Sequence, residues 1–341
     1  IPFRVHKLRQ RPHIPTNNRP PMLDQNSRNF GSKLVNVWCH RQVFCETAEN
    51  IESTIACNNP FKLEPGDSRY LALLPPDSRR YAIMQKPPRP SRNLTYSENE
   101  RAYPAGTMLI LDLVEAPNKP FGYKRCVALL VATCPKSDKI LIYPVQRQDA
   151  DSIFKGILWM KNVILLQYRL HVTKIGVDAA SALVGHQLDH LRTNYAVAFE
   201  TIGRYELHHH SHAESAIKRV MTGALRNCSG AKGIHLGHRP IDVDSFWLLG
   251  ALHWIKLHDA QASSRILRRD MVSRTPQQHL LGPDVDLLVP PPLPFLTPVR
   301  YNPPNSKKHS LGRTRVVYYV FPAAYVPIPN FGEPGLVDNR H

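Results

Sequence analysis

The sequence predicts an α/β fold: a central sheet flanked by helices, with an extended N-terminal arm and a small β-containing C-terminal region. Three observations carry this. Between residues 105 and 230, apolar runs of strand length alternate with helical spacing, in the order strand, strand, strand, helix, strand, helix, strand, helix. The 31 prolines crowd before Gly106 and after Leu281 and are sparse between them. Hydrophobic residues make up 42% of the 341, which supports a sizeable core and argues against wholesale disorder.

Residues 1–104 are polar, basic and broken by proline, as in Lys86-Pro87-Pro88-Arg89-Pro90. They read as an arm or linker, with at most short elements near Val35 to Val43 and Tyr70 to Leu74. Residues 105–230 form the core. Thr107 to Val114, Cys126 to Cys134 and Lys139 to Val145 are short runs rich in Leu, Val and Ile and read as strands. Asn118-Lys119-Pro120 and Pro135-Lys136-Ser137-Asp138 supply the turns between them. Ala150 to Leu166 has helical spacing, with Ile153, Phe154, Ile157, Leu158 and Met160 on one face. A fourth strand, His171 to Val177, ends at Asp178. A helix over Ser181 to Asn194 and a strand over Ala196 to Thr201 follow. The next helix runs from Ala213 to Arg226, with Ser211 as N-cap and Glu214 three residues later, the pattern of a capping box.

Residues 231–282 read as a helical extension. Its main helix runs from about Val243 to Leu257, with Phe246, Leu249, Gly250, His253 and Trp254 as the packing stripe. Residues 283–341 are proline-rich and basic, with Pro290-Pro291-Pro292 and a basic strand over Arg313 to Tyr319.

The chain carries 44 Lys and Arg against 27 Asp and Glu, a surplus of +17. Polyphosphate backbones and anionic membranes are the usual partners of such a surplus. Neither terminus offers a basic amphipathic helix or a lipidation signal, and no apolar run approaches the roughly 20 residues of a membrane helix. Nucleic acid is the favoured partner, against a plain solvated basic surface. Six cysteines suggest ordinary intracellular usage rather than a disulfide framework. The start at Ile1, without initiator methionine or signal peptide, suggests a processed polyprotein piece or an incomplete gene product.

Three acids stand out by placement. Asp112 lies within the first apolar strand, Asp178 ends the fourth, and Glu214 starts the helix after the fifth. A carboxylate in an apolar strand costs desolvation energy unless a cation meets it. The cation is a basic side chain or a metal. Two or three carboxylates supply the hard oxygen ligands that suit Mg²⁺ or Mn²⁺. Two such ions can clamp the attacking and leaving oxygens of a phosphodiester. Salt-bridged or turn-capping acids are the plain alternative.

These residues carry a resemblance. Between Asp178 and Glu214, 35 residues intervene, which is similar to the Asp, Asp-35-Glu triad of retroviral and retrotransposon integrases. Ala102-Tyr103-Pro104-Ala105-Gly106 before Leu109-Ile110-Leu111-Asp112 resembles the entry to the first strand of copia-type integrases. His212-Ala213-Glu214-Ser215-Ala216-Ile217-Lys218-Arg219 resembles the segment around their glutamate. Phe246-Trp247 with Ala251 is similar to their tryptophan-bearing helix. Thr275-Pro276, Leu280, Gly282, Pro294-Phe295 and Lys307 to Tyr319 resemble the tail block. The resemblance spans about residues 102–325 and implies an RNase H-like core, a mixed central sheet flanked by helices. It implies 3′-end processing and strand transfer of DNA, with Asp112, Asp178 and Glu214 as catalytic metal ligands for Mg²⁺ or Mn²⁺. It also implies a homo-oligomer working in the nucleus after a cytoplasmic stage in a particle. Lys218, one turn after Glu214, takes the role of the lysine that contacts element-end DNA, and Arg219 and Arg226 extend that basic surface.

The sequence also departs from the family. Asp178 is followed by Ala179-Ala180-Ser181, where the family has Asn or Gly and a Glu-Phe pair. His208-His209-His210-Ser211-His212 replaces the usual Asn-Gly loop and reads as a loop of solvated imidazoles. Cys39, His40, Cys45 and Cys57 lack the spacing of the family's zinc-binding region, and no zinc is expected there. Cys126, Cys134 and Cys228 read as buried small hydrophobes. Strand alternation puts Glu115 on the face opposite Asp112. These departures keep two alternatives open: a decayed or domesticated remnant that binds nucleic acid without catalysis, and a nuclease that cuts without joining.

Overall fold

The computed structural model describes residues 29–44, 48–74, 103–115, 126–178, 185–202, 207–231, 235–236, 239–240, 242–285, 293–301, 315–319 and 336–337. The Asn118-Lys119-Pro120 turn, Ala179-Ala180-Ser181 and Pro290-Pro291-Pro292 lie outside these residues.

The centre is a five-stranded mixed sheet. Its strands are β1 (Met108–Glu115), β2 (Ala128–Thr133), β3 (Ile140–Val145), β4 (Lys174–Asp178) and β5 (Ala198–Ile202), in the spatial order β3-β2-β1-β4-β5. β1, β2 and β3 form an antiparallel meander, while β1, β4 and β5 run parallel. The short turns join antiparallel neighbours and the helices make the parallel crossovers, as backbone geometry demands. Helices α3 (Ala150–Tyr168), α4 (Gly185–Tyr195) and α5 (Leu207–Gly230) follow β3, β4 and β5.

The strand period of two divides the core into two layers. Leu109, Leu111, Leu130, Leu141, Ile175 and Val177 pack with α3 residues Ile153, Ile157, Met160 and Ile164. On the other face, Leu129, Val131, Ile140 and Ile142 pack against Ala216, Val220 and Ala224 of α5. The α3 helix begins where the Asp149 carboxylate accepts the Ser152 N–H at 2.7 Å, an N-terminal cap. It ends at Arg169, whose φ of 57° is left-handed and stops helical propagation.

The helical extension completes the second layer rather than standing apart. Helix α6 (Trp247–Asp259) is buried on nearly all sides, well beyond the expected stripe, because α5 covers one side and β3 another. Gly250 lies against the Ala224 carbonyl, where a Cβ would sit 3.2 Å away, so the two helices approach closely. Two short helices follow, α7 (Ser264–Asp270) and α8 (Pro276–Leu281). Thr275 and Gln278 close a capping box on α8, with Pro276 at its first position. A separate three-stranded sheet gathers β8 (Thr297–Tyr301), β9 (Arg315–Tyr319) and β10 (Leu336–Val337), and a small hairpin joins β6 (His235–Leu236) to β7 (Arg239–Pro240).

The N-terminal region differs from the expected arm. Residues 30–74 hold α1 (Phe30–Phe44), α2 (Ala48–Cys57) and a 3₁₀ turn (Asp67–Leu73), with a small core of Val37, Ile51, Leu63, Tyr70 and Leu74. This unit docks on the helical extension through Val43, Phe44, Leu257 and Ala260. The Asn58 side chain donates to the Ala260 carbonyl at 2.8 Å, and Gln261 donates to the Phe44 carbonyl at 2.8 Å. Its polar composition hides the unit in sequence, because part of its apolar packing is against Leu257 and Ala260, far along the chain. His40 is fully buried between the Phe44 and Phe61 rings, and burial holds its pKa down at about 4.

Candidate active site and its cationic flank

Asp112 lies half-buried toward the end of β1. Its Oδ1 accepts the Leu113 N–H at 2.7 Å. The register pairs Leu111 with Val177 across β1 and β4, so positions 112 and 178 come next on two adjacent parallel strands. Adjacent strands lie about 4.8 Å apart, which brings the two backbone positions side by side. Asp178 is the last residue of β4, and its side chain lies outside the described residues.

Glu214 reaches the same region by packing. Ala213, the residue before it, is buried against Met108 and Ile110. Strand alternation puts Ile110 and Asp112 on one face of β1. Helix α5 therefore crosses the Asp112 face within one residue of Glu214. Glu214 and Lys218 are both exposed and make no hydrogen bond or ion pair with each other. Glu115 sits at the outer end of β1 and takes a side-chain hydrogen bond from Gln148 at 3.4 Å.

The α5 helix starts at Leu207, earlier than expected. Ser211 is thus inside the helix rather than its N-cap, and the histidine run His208 to His212 is helical backbone instead of a loop. The reason is tertiary. His212 is buried, and its Nδ1 lies 3.1 Å from the Arg265 guanidinium. Arg265 also donates to the Ser215 hydroxyl at 2.9 Å. One arginine from α7 thereby grips the residues on either side of the Ala213–Glu214 pair. No local pattern around Arg265 announces this; only its place in the fold does.

Arg219 proves to be committed elsewhere. Its guanidinium forms a two-point ion pair with Asp138, at 2.8 and 2.9 Å. Asp138 is buried in the β2–β3 turn with a left-handed φ of 55°. The Ser263 hydroxyl donates to it at 2.8 Å, and Arg265 stands 3.7 Å away. Burial alone would push this carboxyl up, but Arg219, His258 and Arg265 outweigh it and hold the group well below the usual carboxylate range. A second buried pair, Lys139 with Asp259, lies beside it. Lys139 is held above the usual lysine range: burial works against the charge, and Asp259 and Tyr168 more than offset it. These pairs tie the β2–β3 turn to α5, α6 and α7.

Lys218, Arg219 and Arg226 nevertheless share one feature. All three line a cleft of about 310 Å³ between α5, α6 and the α6–α7 turn. Ser215, Thr222 and Ser264 add hydroxyls to its wall.

The donor chemistry fits a hard divalent cation, since Asp112 and Glu214 offer carboxylate oxygens on one side of the sheet. Among the described residues, no three His, Cys, Asp or Glu side chains are grouped to hold a metal ion. The described cysteines are thiols, and Cys126, Cys134 and Cys228 are buried. Burial pushes Cys126 up to about 11, so it stays protonated and inert. No helix among the described residues is long and apolar enough to cross a membrane.

No protein-family model and no curated protein matches the sequence. Solved structures do match in part. The catalytic core domain of BIV integrase aligns with 51% of this chain and 93% of its own, at 13% identity and a TM-score of 0.33. The HTLV-2 integrase catalytic core domain in complex with magnesium (trimeric form) aligns with 52% of this chain and 97% of its own, at 12% identity and a TM-score of 0.36. The α/β architecture stands on the sheet order itself: five strands in a mixed sheet, flanked by helices.

Proposed function

We propose that this chain is an integrase-like polynucleotidyl transferase of the copia-type retrotransposon kind, acting on DNA. One observation carries the reading. The parallel register of β1 and β4 makes positions 112 and 178 neighbours, and α5 crosses the same face beside Glu214. The copia-type kinship rests on the sequence resemblance alone.

On this reading Asp112, Asp178 and Glu214 hold Mg²⁺ or Mn²⁺. When bound, the metal supplies positive charge that favours attack at phosphorus and departure of the leaving oxygen. The chain's own residues do the rest. Asp112 is carried on a strand paired on both sides, which holds its backbone in place. Ala213 seats Glu214 on the sheet, and Arg265 fixes the turn around it. Lys218, exposed one turn beyond Glu214, meets a backbone phosphate. Water displaces a DNA oxygen in end processing; the 3′-hydroxyl so released displaces another in strand transfer. The working form is a homo-oligomer on paired DNA ends, in the nucleus.

The test is strand transfer on a labelled duplex with Mg²⁺ or Mn²⁺. Asp112→Asn and Asp178→Asn should each lose activity at least about 100-fold while DNA binding persists. Equal activity in wild type and Asp178→Asn would sink the catalytic assignment. A product carrying nicks but no joints would turn the reading into that of a nuclease.

A second reading keeps the binding and drops the chemistry. The surplus of +17 and the cationic cleft are sufficient for nucleic-acid binding without any metal. It predicts salt-dependent DNA binding that a chelator leaves unchanged, with no product under any metal.

A further inference from the structure

We propose that the N-terminal unit braces Glu214 in cis: it holds both flanks of α7, and Arg265 of α7 is the positioning residue that holds the turn of α5 carrying Glu214. Docking of the unit thereby governs how well the site is formed. The consequence for activity rests on the function proposed above; the mechanical coupling does not.

Glu214 needs such support. Its side chain is exposed and makes no hydrogen bond among the described residues, so its aim depends on the helix backbone. It lies near the start of α5, and helix ends open more readily than helix middles. Ala213 packs on Met108 and Ile110 of the sheet. Arg265 meets His212 at 3.1 Å and Ser215 at 2.9 Å, two residues three apart and so on one face of the helix. One side chain thus spans the turn that contains Glu214.

Arg265 can hold that turn only if α7 is itself held. This helix has seven residues, well short of the roughly 12 at which an isolated helix becomes even marginal in water. Of its own residues only Arg265 and Ile266 are buried. The core holds it through the Ser263 hydroxyl, which donates to Asp138 at 2.8 Å, and through Arg269, which donates to the Pro135 carbonyl at 3.2 Å. The N-terminal unit holds both flanks. Before α7, Asn58 donates to the Ala260 carbonyl and Gln261 to the Phe44 carbonyl, each at 2.8 Å, and the Ala262 N–H donates to the Thr54 hydroxyl at 3.3 Å. After it, the Ser273 hydroxyl donates to the Ser53 carbonyl at 2.9 Å and Gln278 to the Cys57 carbonyl at 2.6 Å. The Ser263 N–H donates to the Arg274 carbonyl at 3.0 Å, which closes the two flanks into one loop. Each bond from the unit uses a backbone group on one side, so together they set the path of the chain around α7. A unit that only added buried area could dock on any apolar face; this one docks on the segment that carries Arg265.

The test is backbone amide exchange of the full chain in excess chelator, read by mass spectrometry. The relaxed form combines Asn58→Ala with Gln261→Ala. Both side chains are half-buried, and their loss removes two bonds of the brace without touching the acids or Arg265. Exchange over residues 207–214 should speed up at least about tenfold, while α3 exchanges as in wild type. Arg265→Met should have the same effect with the N-terminal unit still docked. Unchanged exchange over 207–214 in the double variant overturns the proposal. So does equal speeding in α3, which is general loosening of the fold. In strand transfer, the double variant should raise the Mn²⁺ concentration for half-maximal activity at least about threefold with DNA affinity unchanged. A unit that only stabilises the fold would lower the amount of active protein and leave that midpoint in place, and this result also overturns the proposal. Wild type without strand transfer would sink the proposed function, and the exchange result would still decide the brace.

Discussion

Asp138 on one side, and Asp112 with Glu214 on the other, live in opposite environments. Asp138 is buried and held by two arginines, a serine and a histidine. Glu214 is exposed and its side chain makes no hydrogen bond among the described residues, and Asp112 is half-buried toward a strand end. The first arrangement spends its charge on fixing helices to a turn. The second leaves the Glu214 carboxylate in solvent. A buried acid in an α/β core is therefore not evidence of chemistry until its partners are known, and here the more buried acid is the structural one.

Substitutions can break or sharpen this contrast. The largest effect belongs to Asp138→Ala, which removes the two-point partner of the part-buried Arg219 and the acceptor of the Ser263 hydroxyl. It should cost about 3–5 kcal/mol in denaturant unfolding. A cost under about 1 kcal/mol would dissolve the distinction between the two groups.

Next comes acid sensitivity of the N-terminal unit. His40 has a folded pKa of about 4 against an ordinary 6.5, so the unfolded chain binds the extra proton first. Stability from this group is complete above about pH 6.5 and is lost as pH falls toward 4, by about 3 kcal/mol in all. His40→Phe, which keeps the ring contacts, should flatten that part of the unfolding profile measured from pH 7 to 4.

Asp112→Asn should change unfolding free energy by less than about 1 kcal/mol while abolishing strand transfer. Glu214→Gln should be smaller still, within about 0.5 kcal/mol, as for exposed sites without partners. If either cost as much as Asp138→Ala, that acid would be structural too.

The core elements were legible because their signals are local. A strand announces itself by a short apolar run and a helix by 3.6-residue spacing, and β1 to β5 with α3 follow from those runs. The N-terminal unit is not legible because its core residues, Val37, Ile51, Leu63 and Tyr70, are scattered among polar residues and it docks on Leu257 and Ala260, distant in sequence. The start of α5 departs from its local signal for a related reason. A Ser-x-x-Glu pattern is a local cap signal, but Arg265, 53 residues from His212, holds the preceding turn inside the helix.

The sequence by itself determined the placement of three acids in the chain, the strand and helix order, and a surplus of positive charge. Each depends on residue type and near-neighbour spacing, which need no fold to be read. Tertiary structure decided which charges are occupied. Arg219 and Asp138 are 81 residues apart, as Arg265 and Ser215 are 50 apart, and each pair meets only when helices dock on the sheet. Burial then turns such meetings into fixed contacts, because a desolvated charge must find a partner and an exposed one need not.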